Sequence, residues 1–169
     1  VGLGAGLMQP FMNLYFRSVY EQSDFVIGLV FAFGGFSMAV AQFIAPPLAD
    51  RMGKINVVIL TQGLSIPFLL LLGVGAFVVP AGFGATSVWF GIAIIAYMIR
   101  LALMNMGNPI YQTFMLEGVP DKVNALAVSL SSISFQFGWF IMPQVSGYLQ
   151  VRYGEYGFVP IFAGVATFY

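Results

Sequence analysis

Six long apolar stretches follow one another along this chain, and most of its charged residues fall in the short segments between them. A helix needs about 20 apolar residues to cross the hydrocarbon core of a bilayer, and inside that core every backbone polar group must be paired within the protein. Hydrophobic residues make up 60% of the chain and charged residues only 7%. The sequence therefore predicts an all-α membrane protein.

The predicted spans form one transmembrane helical domain over residues 1–169, with short linkers between the helices. They lie at about 1–20, 25–45, 55–79, 87–117, 123–151 and 156–169. The polar segment after the first span offers Ser23 or Asp24 as a cap for the second helix. The last apolar run has about fifteen residues, fewer than a full span needs. We therefore expect a truncated sixth helix, and a chain that is a fragment of a longer protein.

Several classes of function lack the residues that they need. The chain has no cysteine and no histidine, which excludes thiolate and imidazole metal sites and nucleophiles of those types. The spans contain no carboxylate pair and no serine beside a base, so acid–base and nucleophilic catalysis lack their parts. The net charge is zero without a basic block, which argues against nucleic acid. We predict no enzymatic activity, no cofactor and no metal.

Polar side chains inside three spans share single helical faces, at about 100° per residue. In the first span they are Gln9, Asn13 and Arg17. In the fourth span they are Tyr97, Arg100, Asn105, Asn108, Tyr111 and Gln112. In the fifth span they are Ser129, Ser132, Gln136, Trp139 and Pro143. Serine and threonine alone are explained by bonds between helices, whereas these wider faces indicate a polar cavity.

Arg100 has the strongest functional indication. It lies thirteen residues, or about 20 Å, beyond Ser87 at the start of its span, too deep for its head group to reach the interface easily. A charge at such depth costs between about 2.5 and more than 10 kcal/mol. Arg17 differs, because it lies near the end of its span and can extend to the interface. Arg100 is therefore predicted to bind a ligand or a charged partner.

Small residues recur at helical spacing in the second span, and a charged segment follows it. The small residues form three pairs, Gly28 and Ala32, Gly35 and Ala39, and Ala41 and Ala45. This spacing predicts close packing against another helix. Residues 46–54, PPLADRMGK, contain two prolines and a glycine and are predicted to form a turn. Its Arg51 and Lys54 favour a cytoplasmic location.

This turn resembles the signature loop of the major facilitator superfamily, roughly G-x-L-A-D-R-x-G-R/K-R/K. The matching residues are Leu48, Ala49, Asp50, Arg51, Gly53 and Lys54, whereas Pro46 replaces the first glycine and Ile55 the last basic residue. The segment GWFIMPQVSG is similar to the Gly-Pro-Gly segment of the fifth helix, through Gly138, Pro143 and Gly147. The resemblance covers essentially the whole chain as one six-helix half. Leu103 and Met104, where the first half usually has Gln and Gly, favour the carboxy-terminal half.

The resemblance implies a secondary active transporter that works by alternating access in a membrane, expected to be the bacterial inner membrane. It implies that helices one and four line the substrate cavity, that helices two and five contact the other half, which is missing here, and that helices three and six face lipid. The expected cavity residues are Gln9, Asn13, Tyr97, Arg100, Asn105, Asn108 and Gln136. The expected conformational-switch loop contains Asp50, Arg51, Gly53 and Lys54.

The substrate is expected to be a small molecule, with an anionic group if Arg100 binds it directly. Arg100 could instead pair with an acidic residue of the other half. The sequence leaves two alternative functions open. One is efflux of amphipathic drugs within the same superfamily, which the aromatic content of 17% would suit. The other is a small channel that assembles from copies of this chain.

Overall fold

A computed structural model of the chain describes residues 2–167, the side chain of Asp121 excepted. Val1, Phe168 and Tyr169, which belong to the first and last predicted spans, lie outside the described residues. Within residues 2–167 the helices are α1 Gly2–Met8, α2 Met12–Tyr20, α3 Asp24–Met52, α4 Lys54–Val78, α5 Thr86–Glu117, α6 Asn124–Tyr153 and α7 Phe158–Thr167. This part of the chain contains no strand. The prediction of an all-α membrane fold is confirmed.

Four helical stretches are long and apolar enough to cross a membrane. They are Asp24–Met52, Lys54–Val78, Thr86–Glu117 and Asn124–Thr167, the last of which joins α6 and α7 through the 3₁₀ turn Gly154–Gly157. The first predicted span is instead two short helices, α1 and α2, separated by the 3₁₀ turn Gln9–Phe11. Pro10 lies in that turn and lacks the N–H that would continue the helix.

The predicted turn at residues 46–54 is wrong, because α3 continues as a helix through Met52. Pro46 and Pro47 remove two N–H groups from this helix. Beyond them Ala49 is buried against α5 in a small apolar cluster, which favours continuation of the helix. The reversal takes place at Gly53 alone, at φ 87° and ψ 143°. A residue with a side chain is strained at this φ, so glycine is required there. Ser23 caps the start of α3, as predicted, by accepting a bond from the N–H of Val26 at 3.5 Å.

The helices pack in a pattern that repeats between the two parts of the chain. In one part α5 lies along both α3 and α4, and in the other α1 lies along both α6 and α7. The contact between α4 and α7 joins the two parts. When α5, α6 and α7 are matched in order with α1, α3 and α4, each of these contacts therefore has a counterpart. Such repetition is typical of membrane transport proteins built from repeats. The sequence showed no such repeat.

Glycine allows the backbones of α1 and α6 to touch. A Cβ atom built on Gly138 would lie 2.6 Å from the carbonyl carbon of Gly2 and 2.7 Å from the nitrogen of Leu3. A Cβ on Gly6 would lie 2.5 Å from the carbonyl oxygen of Gly138. Real Cβ atoms do not approach backbone this closely, so both positions need glycine. This contact fixes how α6 is placed against α1.

An aromatic cluster forms the core at the end of the bundle opposite to Gly53. Tyr15 is fully buried at its centre, and its ring lies 5.2 Å from that of Phe158 and 5.1 Å from that of Phe162. The hydroxyl of Tyr15 donates to the carbonyl oxygen of Leu72 at 2.9 Å and lies 3.1 Å from the hydroxyl of Tyr20. The buried hydroxyls are thus paired, as burial away from water requires.

The small residues of α3 are packed only in part. Ala41 and Ala45 are buried, as the close-packing prediction requires. The other two pairs face outward, because Gly28, Ala32 and Ala39 are exposed and no atom lies within 4 Å of a Cβ built on Gly28 or Gly35. The buried face of α3 lies about a third of a turn away and uses Gly34 and Ala49 instead. Spacing alone could not show which of the two small faces would be covered.

Candidate functional site

Arg100 lies near the middle of α5 and is only 3% exposed. At 1.5 Å per residue it is about 21 Å from Thr86 and about 26 Å from Glu117, the two ends of that helix. The structure therefore places a guanidinium at the depth of the hydrocarbon core. A charge at this depth is retained where it has a function or a specific partner.

A small cavity of about 50 Å³ adjoins Arg100. Its lining residues are Ala5, Gln9, Arg100, Met104, Asn105, Asn108 and Phe135. Four of the predicted cavity residues, Gln9, Arg100, Asn105 and Asn108, thus meet here although they come from two separate predicted spans. The volume holds a carboxylate group or a few water molecules, since one water needs at least about 10 to 15 Å³.

A larger cavity of about 410 Å³ lies between α5 and α6, nearer to the Gly53 end of the bundle. Its lining residues are Asn108, Tyr111, Gln112, Ser131, Ser132, Phe135 and Gln136. The polar faces of the fourth and fifth predicted spans therefore meet at this cavity. Gln136, which was predicted as a cavity residue, is among its lining residues. Asn108 and Phe135 line both cavities, so the larger one adjoins the small one at Arg100.

Tyr97 and Asn13 do not line either cavity. Tyr97 is 4% exposed and packs in the aromatic core, with its ring 5.6 Å from that of Phe16 and 5.8 Å from that of Phe31. It shares a helical face with Arg100 but lies closer to the Thr86 end, where α2 and α3 cover it. Asn13 is exposed on α2.

Seven lining residues of the two cavities were missing from the predicted site, namely Ala5, Met104, Tyr111, Gln112, Ser131, Ser132 and Phe135. Phe135 is apolar, so a helical wheel that was searched for polar side chains did not select it. Ser131 falls about 100° away from Ser132 on the same wheel. Gln112 was part of the polar face of the fourth span but was not selected, although it lies one helical turn from Asn108. Neighbouring helices determine which of these side chains face a common space, and the sequence of one helix does not contain that information.

The predicted switch residues lie at the end of the bundle around Gly53. Asp50 and Arg51 are exposed on the last turn of α3. Lys54, at the start of α4, donates to both carboxylate oxygens of Glu117 at 2.6 and 2.5 Å and so ties the end of α5 to the reversal. Asp50 and Lys54 also line a groove of about 220 Å³ between the ends of α3 and α5. The pairing of Lys54 with Glu117 was not predicted from the sequence.

Arg17 lies at the opposite end of the bundle, as its position near the end of a span indicated. Its guanidinium is 3.6 Å from the carboxylate of Asp24, and the two side chains are 63% and 70% exposed. A pair this exposed contributes about 0 to 1 kcal/mol to stability. It joins α2 to α3 without lining either cavity.

The charged groups of the described residues do not gather into a metal site. Within residues 2–167 no three acidic side chains lie close enough together to hold a metal ion. Both cavities instead offer amides, hydroxyls and one guanidinium. These groups bind solutes by hydrogen bonds and charge.

Comparison with known proteins gives one result. The family described as Major Facilitator Superfamily matches over residues 1–169. No curated protein and no solved structure matches the chain.

Proposed function

Because the chain belongs to the major facilitator superfamily, whose members are membrane transporters, we propose that it moves a small solute across the membrane by alternating access, as a secondary active transporter. The observation that carries this proposal is the polar cavity between α5 and α6 with Arg100 at its deep end. Amides and hydroxyls facing lipid would be costly, so a cavity that admits water and solute explains them better.

A second six-helix unit would close the cavity from the other side. Most of α6 is exposed, and only Gly138 and Ser146 are buried along its length. The outward small face of α3, with Gly28 and Gly35, is equally uncovered and allows another helix to approach closely. We propose that the second unit is the other half of the same transporter and that the chain described here is the carboxy-terminal half.

Arg100 would bind an anionic group of the solute. Its guanidinium can form a bidentate bond with a carboxylate, and the adjoining cavity has the volume of such a group. Gln9, Asn105, Asn108 and Gln136 would then orient the rest of the solute by hydrogen bonds. Asn13 is exposed on α2 and lines neither cavity, so it would contact the solute only on the side that the second unit covers.

The Gly53 end would act as the conformational switch. Asp50 and Arg51 are exposed there and are free to contact the second unit in one end state, while the bond between Lys54 and Glu117 keeps α4 and α5 together. The basic residues Arg51, Lys54 and Lys122 lie at this end, against Arg17 and Arg152 at the other. This bias favours a cytoplasmic location for Gly53, and we assign the protein to the bacterial inner membrane.

Counterflow tests this function directly. Proteoliposomes containing the full-length protein would be loaded with unlabelled lactate, benzoate or gluconate and given the labelled solute outside. A carrier that exposes its site alternately gives a transient overshoot of label inside for at least one solute. A channel of assembled copies would give simple equilibration for all three, which would contradict the proposal.

The same assay tests the switch through the variant Asp50→Asn. Loss of one charged contact of about 1.4 kcal/mol in an end state changes a rate about tenfold. We therefore expect counterflow about tenfold slower with unchanged solute affinity. Glu155→Gln removes an exposed carboxylate at the opposite end of the bundle and serves as the control. Equal effects of the two variants would argue against a switch at Asp50.

Drug efflux is the second candidate function. A shallow depression of about 360 Å³ on α6 is lined by Ser132, Ile133, Gln136, Phe137 and Phe140. Exposed phenyl rings beside a polar cavity suit amphipathic molecules. Efflux of ethidium by the same proteoliposomes, without counterflow of any of the three carboxylates, would favour this function.

A further inference from the structure

Two hydrogen bonds join the side chains of Asn105 and Asn108 to the backbone of α5. Asn105 donates from Nδ2 to the carbonyl oxygen of Leu101 at 2.8 Å, and its Oδ1 accepts from Nδ2 of Asn108 at 3.0 Å. A backbone carbonyl can only accept, so the group that Asn105 turns toward Leu101 must be its N–H₂ group. The direction of both bonds is therefore fixed by the backbone of the helix.

Asn108 ends this chain of bonds with an acceptor. Its Nδ2 donates to Asn105, and its Oδ1 accepts from no described residue. If its amide turned over, two oxygens would face each other and the bond to Asn105 would be lost. Asn108 is exposed and lines both cavities. Its Oδ1 is therefore held as an acceptor for a hydrogen-bond donor inside the cavity.

The other amides and the serines of the larger cavity have no fixed direction of hydrogen bonding. Gln112, Ser131, Ser132 and Gln136 make no hydrogen bond with any described residue. A hydroxyl can rotate and an unbonded amide can turn over, so each of these groups can either donate or accept. They suit many solutes, whereas Asn108 distinguishes a solute group that donates from one that only accepts.

We propose that the Oδ1 of Asn108 is the acceptor that determines specificity in the transport cavity, and that Asn105 is the positioning residue that orients it. The solute then carries a hydroxyl or N–H group at this point. A solute without that donor leaves the acceptor unpaired, which a site built for a hydrogen bond rejects. This inference rests on the proposed transport function and names a group that the solute requires. It applies to charged and uncharged solutes alike, because neither bond involves Arg100.

Two pairs of probes differ only in this donor. Lactate and its methyl ester carry a hydroxyl, which a methoxy group replaces in 2-methoxypropionate and its methyl ester. Binding of each probe to the full-length protein in nanodiscs would be measured by calorimetry. We expect the hydroxyl member of at least one pair to bind at least about tenfold more tightly than its methoxy partner. Equal binding within both pairs, or binding of none of the probes, would overturn the assignment.

The variant Asn105→Leu tests the positioning role. Without Asn105 the amide of Asn108 can turn over and offer its N–H₂ group to the methoxy oxygen. The preference for the hydroxyl probe is therefore expected to fall to about twofold or less, whereas Asn108→Leu is expected to weaken its binding about tenfold. A role of Asn105 in packing alone, or a preference set by the size of the methoxy group, would leave the ratio of the two affinities unchanged. That result would overturn the positioning role.

Asn56 provides the matched control. It donates from Nδ2 to the carbonyl oxygen of Met52 at 2.9 Å, with the same spacing of four residues, but it is exposed on α4 and lines neither cavity. Asn56→Leu is expected to change neither the affinities nor their ratio, and equal effects of Asn56→Leu and Asn105→Leu would overturn the role of Asn105. Counterflow of benzoate, which has no donor, as fast as that of lactate or gluconate would leave transport intact and reject the required donor alone.

Discussion

Arg100→Ala is expected to abolish transport while the protein still folds and inserts. The guanidinium can make two charge-assisted hydrogen bonds to a carboxylate, each contributing about 1.5 to 3 kcal/mol. Their loss corresponds to at least about a hundredfold weaker binding, since every 1.4 kcal/mol is tenfold. Uptake into proteoliposomes and binding to the purified variant would measure the two effects. Alanine leaves a larger cavity at a site that is already partly open, so the helices around it can still pack.

Two further arginine variants test whether the effect is specific to the guanidinium of Arg100. Arg100→Lys keeps the charge but not the planar fork, so we expect binding intermediate between that of the native protein and that of Arg100→Ala. Arg17→Ala removes an exposed arginine, paired with Asp24, at the far end of the bundle. It is expected to leave transport within about twofold, because exposed ion pairs contribute little. Full transport by Arg100→Ala would reject the assigned role of the arginine.

Gly138→Ala is expected to disrupt the assembly of α6 with α1. The added methyl would lie within 2.8 Å of three backbone atoms of Gly2 and Leu3, which cannot move aside as a flexible side chain can. Overpacking of this kind costs about 1 to 3 kcal/mol and more where backbone must shift. We therefore expect a clear fall in the melting temperature of the protein in detergent, together with loss of transport as the α6 wall of the cavity moves.

Gly63→Ala is the matched control for this prediction. Gly63 is also inside a long helix, α4, but a Cβ built there has no atom within 4 Å. Alanine is a better helix former than glycine, so the control is expected to keep or slightly raise the melting temperature. If both variants melt alike, the close approach of α1 and α6 is not what places α6.

The sequence allowed the membrane class and the family to be predicted because both depend on features of single segments. Long apolar runs separated by charged residues are sufficient for the all-α membrane fold, which is confirmed. The motif around Asp50 was sufficient for the family, although the local structure around it was predicted wrongly. Two prolines normally end a helix, but burial of Ala49 against α5 favours helix up to Gly53. That packing is a tertiary contact, which the motif does not encode.

The candidate site was predicted only in part, because it too depends on contacts between helices. A helical wheel could place Arg100, Asn105 and Asn108 on one face, since that depends only on spacing within α5. It could not show that Tyr97, on the same face, is covered by the aromatic core, or that Phe135 of α6 lies beside Asn108. Those facts depend on the rotation of each helix against its neighbours, which glycine contacts such as that of Gly138 determine. The functional roles of all these residues remain predictions.

Water access to the cavity between α5 and α6 is the most direct test of the proposed transport function. Its measurement requires no knowledge of the solute. The chain has no cysteine, so single cysteines can be introduced at Gln136, in the larger cavity, and at Leu64, which is 48% exposed near the middle of α4 and predicted to face lipid. Membrane vesicles containing the full-length protein, its other cysteines replaced, would be treated with a charged maleimide that does not cross the bilayer. We predict rapid labelling at position 136 and almost none at position 64. Equal lack of labelling at both positions would contradict a water-filled transport cavity between α5 and α6.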